Sequence, residues 1–236
     1  MLEIRNIAFS YRQKTVLRDV SFMVSPGEIV SVVGANGAGK TTLLKVLATL
    51  GVPDSGMVLV DGQDALSHPL KYRRQIGYLP EQPALYDEMT VKEYLEYRAA
   101  LKGEPGKRIR RRVNDAAEMC QVAGALKTPI RLLSAGFRKR VALADALLLR
   151  PRVLLLDDFL AGLDRDMRKA AGEMLANAAA FSSVIVTGHE IGDFVRWATR
   201  FVVLRDGVVS DVIQTAGADP SMLTERVNAA VDGGAA

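Results

Sequence analysis

The stretch GANGAGKT, residues 34–41, constrains this chain more than any other. It fits G-x-x-x-x-G-K-[ST], follows the apolar run IVSVV and precedes a helical stretch from 41 to about 50. Gly37 and Gly39 let backbone N–H groups turn inward where a Cβ would crowd. The helix that follows presents the positive end of its dipole to the same point. Such a loop cradles phosphate oxygens. Lys40 is placed to neutralise terminal phosphates, and the Thr41 hydroxyl to ligate Mg²⁺. Gly34, Asn36, Gly37, Ala38, Gly39, Lys40, Thr41 and Thr42 are the candidate binding set for a nucleoside triphosphate. The plainer reading, a glycine-rich turn, loses because the full pattern sits between a strand and a helix.

Such a site needs an acid for the metal. In VLLLDDFLAGLD, residues 153–164, an apolar strand delivers Asp157 at its C-terminal end, where open α/β sheets place their ligands. Asp157 can hold Mg²⁺ through water. Asp158, next to it, is expected to face the attacking water.

The rest of the chain alternates strands with helices. Residues 2–9 and 20–24 alternate apolar with polar, 25–28 is a turn, and 29–33, 57–62 and 76–79 read as strands. Residues 90–149 read as helices by period. Strands return at 152–156 and 183–187 with a helix over 165–180 between them, and 201–213 reads as a hairpin across Asp206-Gly207. This order predicts an α/β P-loop NTPase fold: a mostly parallel core sheet, an antiparallel β flap and an inserted helical subdomain. The expected division of one 1–236 domain is a nucleotide-binding core of 1–82 and 150–214, a helical subdomain of 83–149 and a C-terminal tail of 215–236. The closing DGGAA is expected to fray.

Composition removes several alternatives. With 31 basic and 27 acidic residues the net charge is +4, too weak to argue for nucleic acid, and none is expected as a partner. A single cysteine, Cys120, excludes an internal disulfide, and two histidines leave no cluster with zinc spacing. The N-terminus carries Glu3 in an alternating run and does not read as a signal peptide. The longest apolar runs fall short of the roughly 20 residues a spanning helix needs, so the chain is expected to be soluble.

Over nearly its whole length the chain resembles the ATP-binding subunit of ABC transporters. LLSAGFRKRVALADALLLRPRVLLLDD looks like that family's signature motif, its helix and its Walker B strand. AGLD at 161–164 looks like the D-loop, VTGHE puts His189 at the switch-histidine position, and Tyr11 sits where the family stacks a ring on adenine. The segment IGYLPEQPALYDEMTVKEYLEYRAALKG is similar to the bacterial ABC-2-type exporter group, with its gliding-motility, copper-processing and sodium or drug export members.

The resemblance implies ATP and Mg²⁺ as ligands and a head-to-tail dimer, with itself or a homologous ATP-binding subunit. Ser134 and Gly136 of one chain would meet the γ-phosphate held by 34–42 of the other. Ser134 offers a hydroxyl and Gly136 allows close approach, while Ser134 also suits a helix N-cap. Lys40 and His189 join Asp158 as candidate catalytic residues. An integral-membrane permease subunit would be the partner moved, with the chain cytoplasmic and peripheral on the inner (plasma) membrane. The block around 83–102 would be its docking surface.

The departures are specific. The catalytic glutamate position holds Asp158, and Phe159 stands where a proline usually follows. The Q-loop position holds Glu81 with Gln82 beside it, both candidates near the metal. One methylene shorter than Glu, Asp158 predicts slow hydrolysis, with Asp158→Glu near or above the native rate. It also keeps open a second class, a module that binds ATP with little turnover beside a competent partner. A nucleic-acid-linked ATPase is disfavoured, since such proteins usually carry two such domains or long coiled-coil insertions. KRIRRR at 107–112 reads as a solvated helix face, with anionic lipid or an acidic partner as the alternative. His68 is expected to be exposed, and Tyr78 and Trp197 to be core.

Overall fold

Alternation in the first twenty-four residues becomes a hairpin. In the computed structural model, which describes residues 1–189 and 191–233, β1 (Leu2–Tyr11) pairs antiparallel with β2 (Lys14–Val24). Leu2, Ile4, Ile7, Leu17, Val20 and Val24 fall on one buried face. β4 (Ser55–Val60) adds to β1, and β5 (Gln63–Asp64) returns along β4 across Asp61-Gly62. These four strands are the antiparallel flap.

The second part of the sheet is parallel. β3 (Ile29–Val33) lies between β8 (Ser183–Thr187) and β9 (Arg200–Arg205), and β7 (Val153–Leu156) lies between β8 and β6 (Ile76–Leu79). Strands β3, β7 and β8 are buried on both faces, which is why they read as unbroken apolar runs. β10 (Val208–Gln214) folds back on β9 and touches β2 at Val208–Asp19, joining flap and core. The strand order is β5-β4-β1-β2-β10-β9-β3-β8-β7-β6.

Three helices lie between β6 and β7 in sequence. α3 (Val91–Leu101) opens with a capping box, Thr90 with Glu93, and α4 (Gly106–Met119) and α5 (Ala135–Leu147) pack on it through Leu95, Ala116, Val141 and Leu143. Asp145 of α5 is buried, and it pairs with Lys102 at 2.7 Å and Arg98 at 3.0 Å. That ion cluster ties α3 to α5.

Several elements differ from expectation. α1 (Lys40–Leu47) stops short of Leu50, because Thr49 turns to φ 58° and the Leu50 and Thr49 amides donate back to Lys45 and Val46 carbonyls. The 215–236 tail contains α8 (Pro220–Asp232), started by Asp219 and Pro220 and held by buried Leu223 and Val227. Gly233 ends α8 at φ 89°, and the rest of the closing DGGAA lies outside the described residues. The helix expected over 165–180 is α6 (Arg165–Ala179), whereas short α2 (Pro69–Arg73) and α7 (Ile191–Phe194) carry too few residues to show a period. Trp197 is half-buried, edge-on to Phe194 at 5.4 Å. No helix among the described residues is long and apolar enough to cross a membrane.

Candidate functional site

The loop from β3 to α1 opens into a cleft of about 580 Å³, lined by Asn36, Gly37, Gly39, Lys40, Thr41 and Thr42. Gly39 sits at φ 107° immediately before the helix, a conformation that suits glycine. Lys40 lays Nζ on the carbonyls of Gly34, at 2.7 Å, and Ala35, at 3.1 Å. Burial lowers its pKa, and the nearby Asp158 and Asp157 carboxylates oppose that shift.

The acids arrive from β7. Thr41 Oγ1 donates to Asp157 Oδ1 at 3.0 Å, so helix α1 and the end of β7 meet at one carboxylate. Thr187, the last residue of β8, donates to the same oxygen at 2.9 Å and accepts from the Asp158 amide at 3.0 Å. Thr187 therefore ties the two acids together. Sequence reasoning missed it. The available signal was register: Leu156 pairs with Val186, so residues 157 and 187 emerge side by side.

Asp158 lies at φ 46°, on the left-handed side of the map where Asp is among the better tolerated side chains. A proline at 159 would disfavour helical-type backbone at 158, and Phe159 carries no such restriction. Phe159 is itself buried in the core. Asp158 Oδ1 is buried and has no hydrogen-bond partner among the described residues. It lines the cleft with Glu81, Asp157, Thr187, Gly188 and His189.

The far side of the cleft is built by the flap and the β9–β10 turn. Tyr11 lines it, 49% exposed and edge-on to Phe9 at 4.8 Å, with Lys14, Thr15, Val16, Arg18, Asp206 and Gly207 around it. Of these only Tyr11 is a candidate site residue on sequence grounds, while Asp206-Gly207 is read there as a turn. Tyr78, next to the site, is half-buried rather than fully core, and its pKa is pushed up to about 12, chiefly by burial.

The remaining candidates lie elsewhere. Gln82 does not line the cleft, whereas Glu81 does. Gly34 and Ala38 stand behind the loop: a Cβ on Gly34 would come within 2.2 Å of the Leu204 carbonyl oxygen, and Ala38 is buried. Ser134 caps α5, accepting from the Phe137 amide at 3.4 Å, and is exposed outside this cleft. Gly136 is buried in the first turn of α5, and a Cβ there would come within 1.9 Å of Met167 Sδ. The KRIRRR run lies on α4, where Arg111 and Arg112 reach Asp115 and Glu104 at 3.9 and 3.4 Å. His68 is exposed.

The residues present fit Mg²⁺. Thr41 and Asp157 supply oxygen only, the donor chemistry a hard cation takes. Among the described residues no three His, Cys, Asp or Glu side chains gather into a self-sufficient metal site. That suits an ion completed by nucleotide phosphates and water.

These features define a P-loop nucleotide site of the ATP-binding cassette type. The family profile described as "ABC transporter" matches residues 17–161, and the chain belongs to that family. It is an ATP-binding cassette of the ATPase class, with ATP and Mg²⁺ as its ligands. Among similar proteins, the uncharacterized ABC transporter ATP-binding protein YxlF of Bacillus subtilis is 33% identical, over 89% of this chain and 70% of that one. The spermidine/putrescine import protein PotA of Haemophilus influenzae is 32% identical over 89% of this chain and 57% of its own length. The sulfate/thiosulfate import protein CysA of Rhodopseudomonas palustris is 34% identical, over 89% and 62% respectively. The chain thus spans somewhat over half the length of these importers. In structure it resembles an ATP-binding subunit of an ABC transporter (TM-score 0.83, 28% identity, 97% of this chain and 99% of that one). It also resembles a bacterial cassette solved as a dimer (TM-score 0.81, 27% identity, 92% and 100%), also solved bound to ADP and Pi after hydrolysis.

Proposed function

We propose that this chain hydrolyses ATP to drive a membrane exporter, closing head to tail on a second cassette and moving an integral-membrane permease. The observation that carries the reading is the convergence of Lys40, Thr41, Asp157, Asp158 and His189 on one cleft. Ser134, exposed on a separate helix end, is left for a partner's nucleotide.

In this reading Tyr11 stacks on adenine, and the amides of 37–42 with Lys40 hold the phosphates. Thr41 and Asp157 would hold Mg²⁺ together with the nucleotide, and the ion would supply Lewis-acid stabilisation of charge on the phosphoryl oxygens. Asp158 orients the attacking water and takes its proton, and His189 holds the γ-phosphate side. Glu81 rather than Gln82 senses the metal and passes the signal to α3. The second cassette is a copy of this chain or a homologous subunit. The complex sits on the cytoplasmic face of the inner (plasma) membrane, with no nucleic acid as partner. Export is supported by the likeness of 76–103 to the ABC-2 group, while several of the relatives carry import names.

Asp158 favours a second reading, a binding module with little turnover. Size exclusion tests the dimer common to both: Asp158→Asn with Mg-ATP is expected to shift to a dimer, and adding Ser134→Arg to abolish the shift. A monomer under all conditions, or a dimer indifferent to Ser134→Arg, would remove the head-to-tail arrangement.

A further inference from the structure

We propose that Lys139 is a positioning residue for Asp158, and that it couples the start of α5 to the loop carrying that carboxylate. The proposal rests on the ATPase reading for its rate prediction, and on geometry alone for its second test. Lys139 lies on α5, five residues after the exposed cap Ser134. Its Nζ donates to the carbonyl oxygens of Asp158 at 3.4 Å and Phe159 at 3.3 Å, and to that of Ala161. An ammonium has three donors, and three carbonyls of one loop are presented to it.

The loop is also a tight turn: the Ala161 amide donates to the Asp158 carbonyl at 3.2 Å, and the Leu163 amide to Leu160 at 3.1 Å. On its other side Thr187 holds the Asp158 amide at 3.0 Å. The backbone of Asp158 is therefore pinned at both ends, by a hydroxyl from β8 and by a cation from α5. Its φ of 46° needs such restraint, because an unrestrained residue drifts to the broader allowed regions. The neighbours Arg138 and Arg140 are engaged differently. Arg138 pairs with Asp87 at 2.6 Å, and Arg140 lies over the Phe137 ring at 4.0 Å. Of these three cations, Lys139 alone bonds, among the described residues, to the loop that bears the acid.

The consequence is a mechanical link. Ser134 heads the helix that, in the head-to-tail dimer, meets the partner's nucleotide. Lys139 sits on the same rigid helix and grips the loop of this chain's own site. A small tilt of α5 when Ser134 engages would carry the Asp158 carboxylate with it. Each site's water-orienting group would then report on the neighbouring site's occupancy.

Lys139→Met removes the donors and keeps the length of the side chain, while Lys139→Gln restores two of them. Misplacing a reacting group by about 1 Å costs on the order of 100-fold in rate. Lys139→Met is therefore expected to lower kcat by about 10- to 100-fold, with ADP affinity unchanged within about twofold, and Lys139→Gln to recover part of the rate. Hydrogen exchange of the ADP-bound protein gives a readout that does not require turnover. Amides of 159–163 should exchange faster in Lys139→Met, with those of β1 unaffected. Wild-type turnover in Lys139→Met would overturn the proposal while leaving the ATPase reading in place. Unchanged exchange at 159–163, or an equal rise across α5 and β1 with a lowered Tm, would overturn it too, the latter by showing a merely structural role. A wild-type protein that does not hydrolyse ATP would sink the ATPase reading, and the exchange arm would then decide the clamp by itself.

Discussion

Replacing Thr187 with valine isolates the contact that holds the two acids together. Valine has nearly the same shape, and Thr187 is 1% exposed, so the substitution changes hydrogen bonding and little else. It removes the 2.9 Å bond to the Asp157 carboxylate and leaves the Asp158 amide, now bonded at 3.0 Å, without its acceptor. A bond to a charged group contributes about 1.5–3 kcal/mol, and a stranded amide costs about 1–3 kcal/mol. Allowing for partial relaxation, about 2–4 kcal/mol of stability should go. At this chain length 1 kcal/mol shifts Tm by about 2–4 °C, so the nucleotide-free protein should melt about 5–15 °C lower. Thr187→Ser, which keeps the hydroxyl, should stay much closer to wild type. With Mg-ATP the deficit should shrink, because Asp157 then has the metal site as a second partner. Thermal melts of the three proteins, with and without Mg-ATP, check this. A Thr187→Val protein melting within about 1 °C of wild type would show that Thr187 does not hold the two acids together.

Three further outcomes follow from the geometry. Tyr11→Ala should weaken ATP binding by about 1–3 kcal/mol, the range of base–aromatic stacking, while Tyr11→Phe and Tyr11→Trp hold it; equal affinity in a binding titration would move the adenine elsewhere. Asp158→Glu should not outpace wild type, since a left-handed φ costs a longer side chain about 1 kcal/mol more than Asp and offsets its better reach; a clear gain in single-turnover rate would contradict that. Tyr86→Glu, in the loop before α3, and Tyr97→Glu, on α3, at residues 43% and 41% exposed, should uncouple transport and spare the ATPase of the isolated protein; transport preserved in both would put the permease contact elsewhere. Leu85, in the same block, is packed against the core, so a charge there would damage the fold instead.

Legibility of the sequence follows how local each cause is. The phosphate loop, the Ser134 cap and the Asp206-Gly207 turn are set by residues a few positions apart, and all three stand where they were read. The parallel strands were legible because burial on both faces makes them continuously apolar. What escaped depends on distant partners. Gly136 packs against Met167, thirty-one positions on, a contact no local pattern announces. Thr187 matters because strand register sets it beside Asp157. Helix α8 hides because only Leu223 and Val227 of its residues are buried, too few to give a clear period. The left-handed backbone of Asp158 leaves no mark in composition, and it changes the expectation for Asp158→Glu.

Single-turnover hydrolysis of Mg-ATP by wild type and Asp158→Asn tests the central claim most directly. The carboxylate sits back by about one C–C bond, 1.5 Å, from where Glu would place it, so slow hydrolysis is the expected outcome. An amide in the same place cannot take the proton at all. Wild type should turn over measurably, and Asp158→Asn should lose nearly all turnover with ATP still bound. Equal rates in the two proteins would show that Asp158 is no catalyst, and the chain would then be better described as an ATP-binding module.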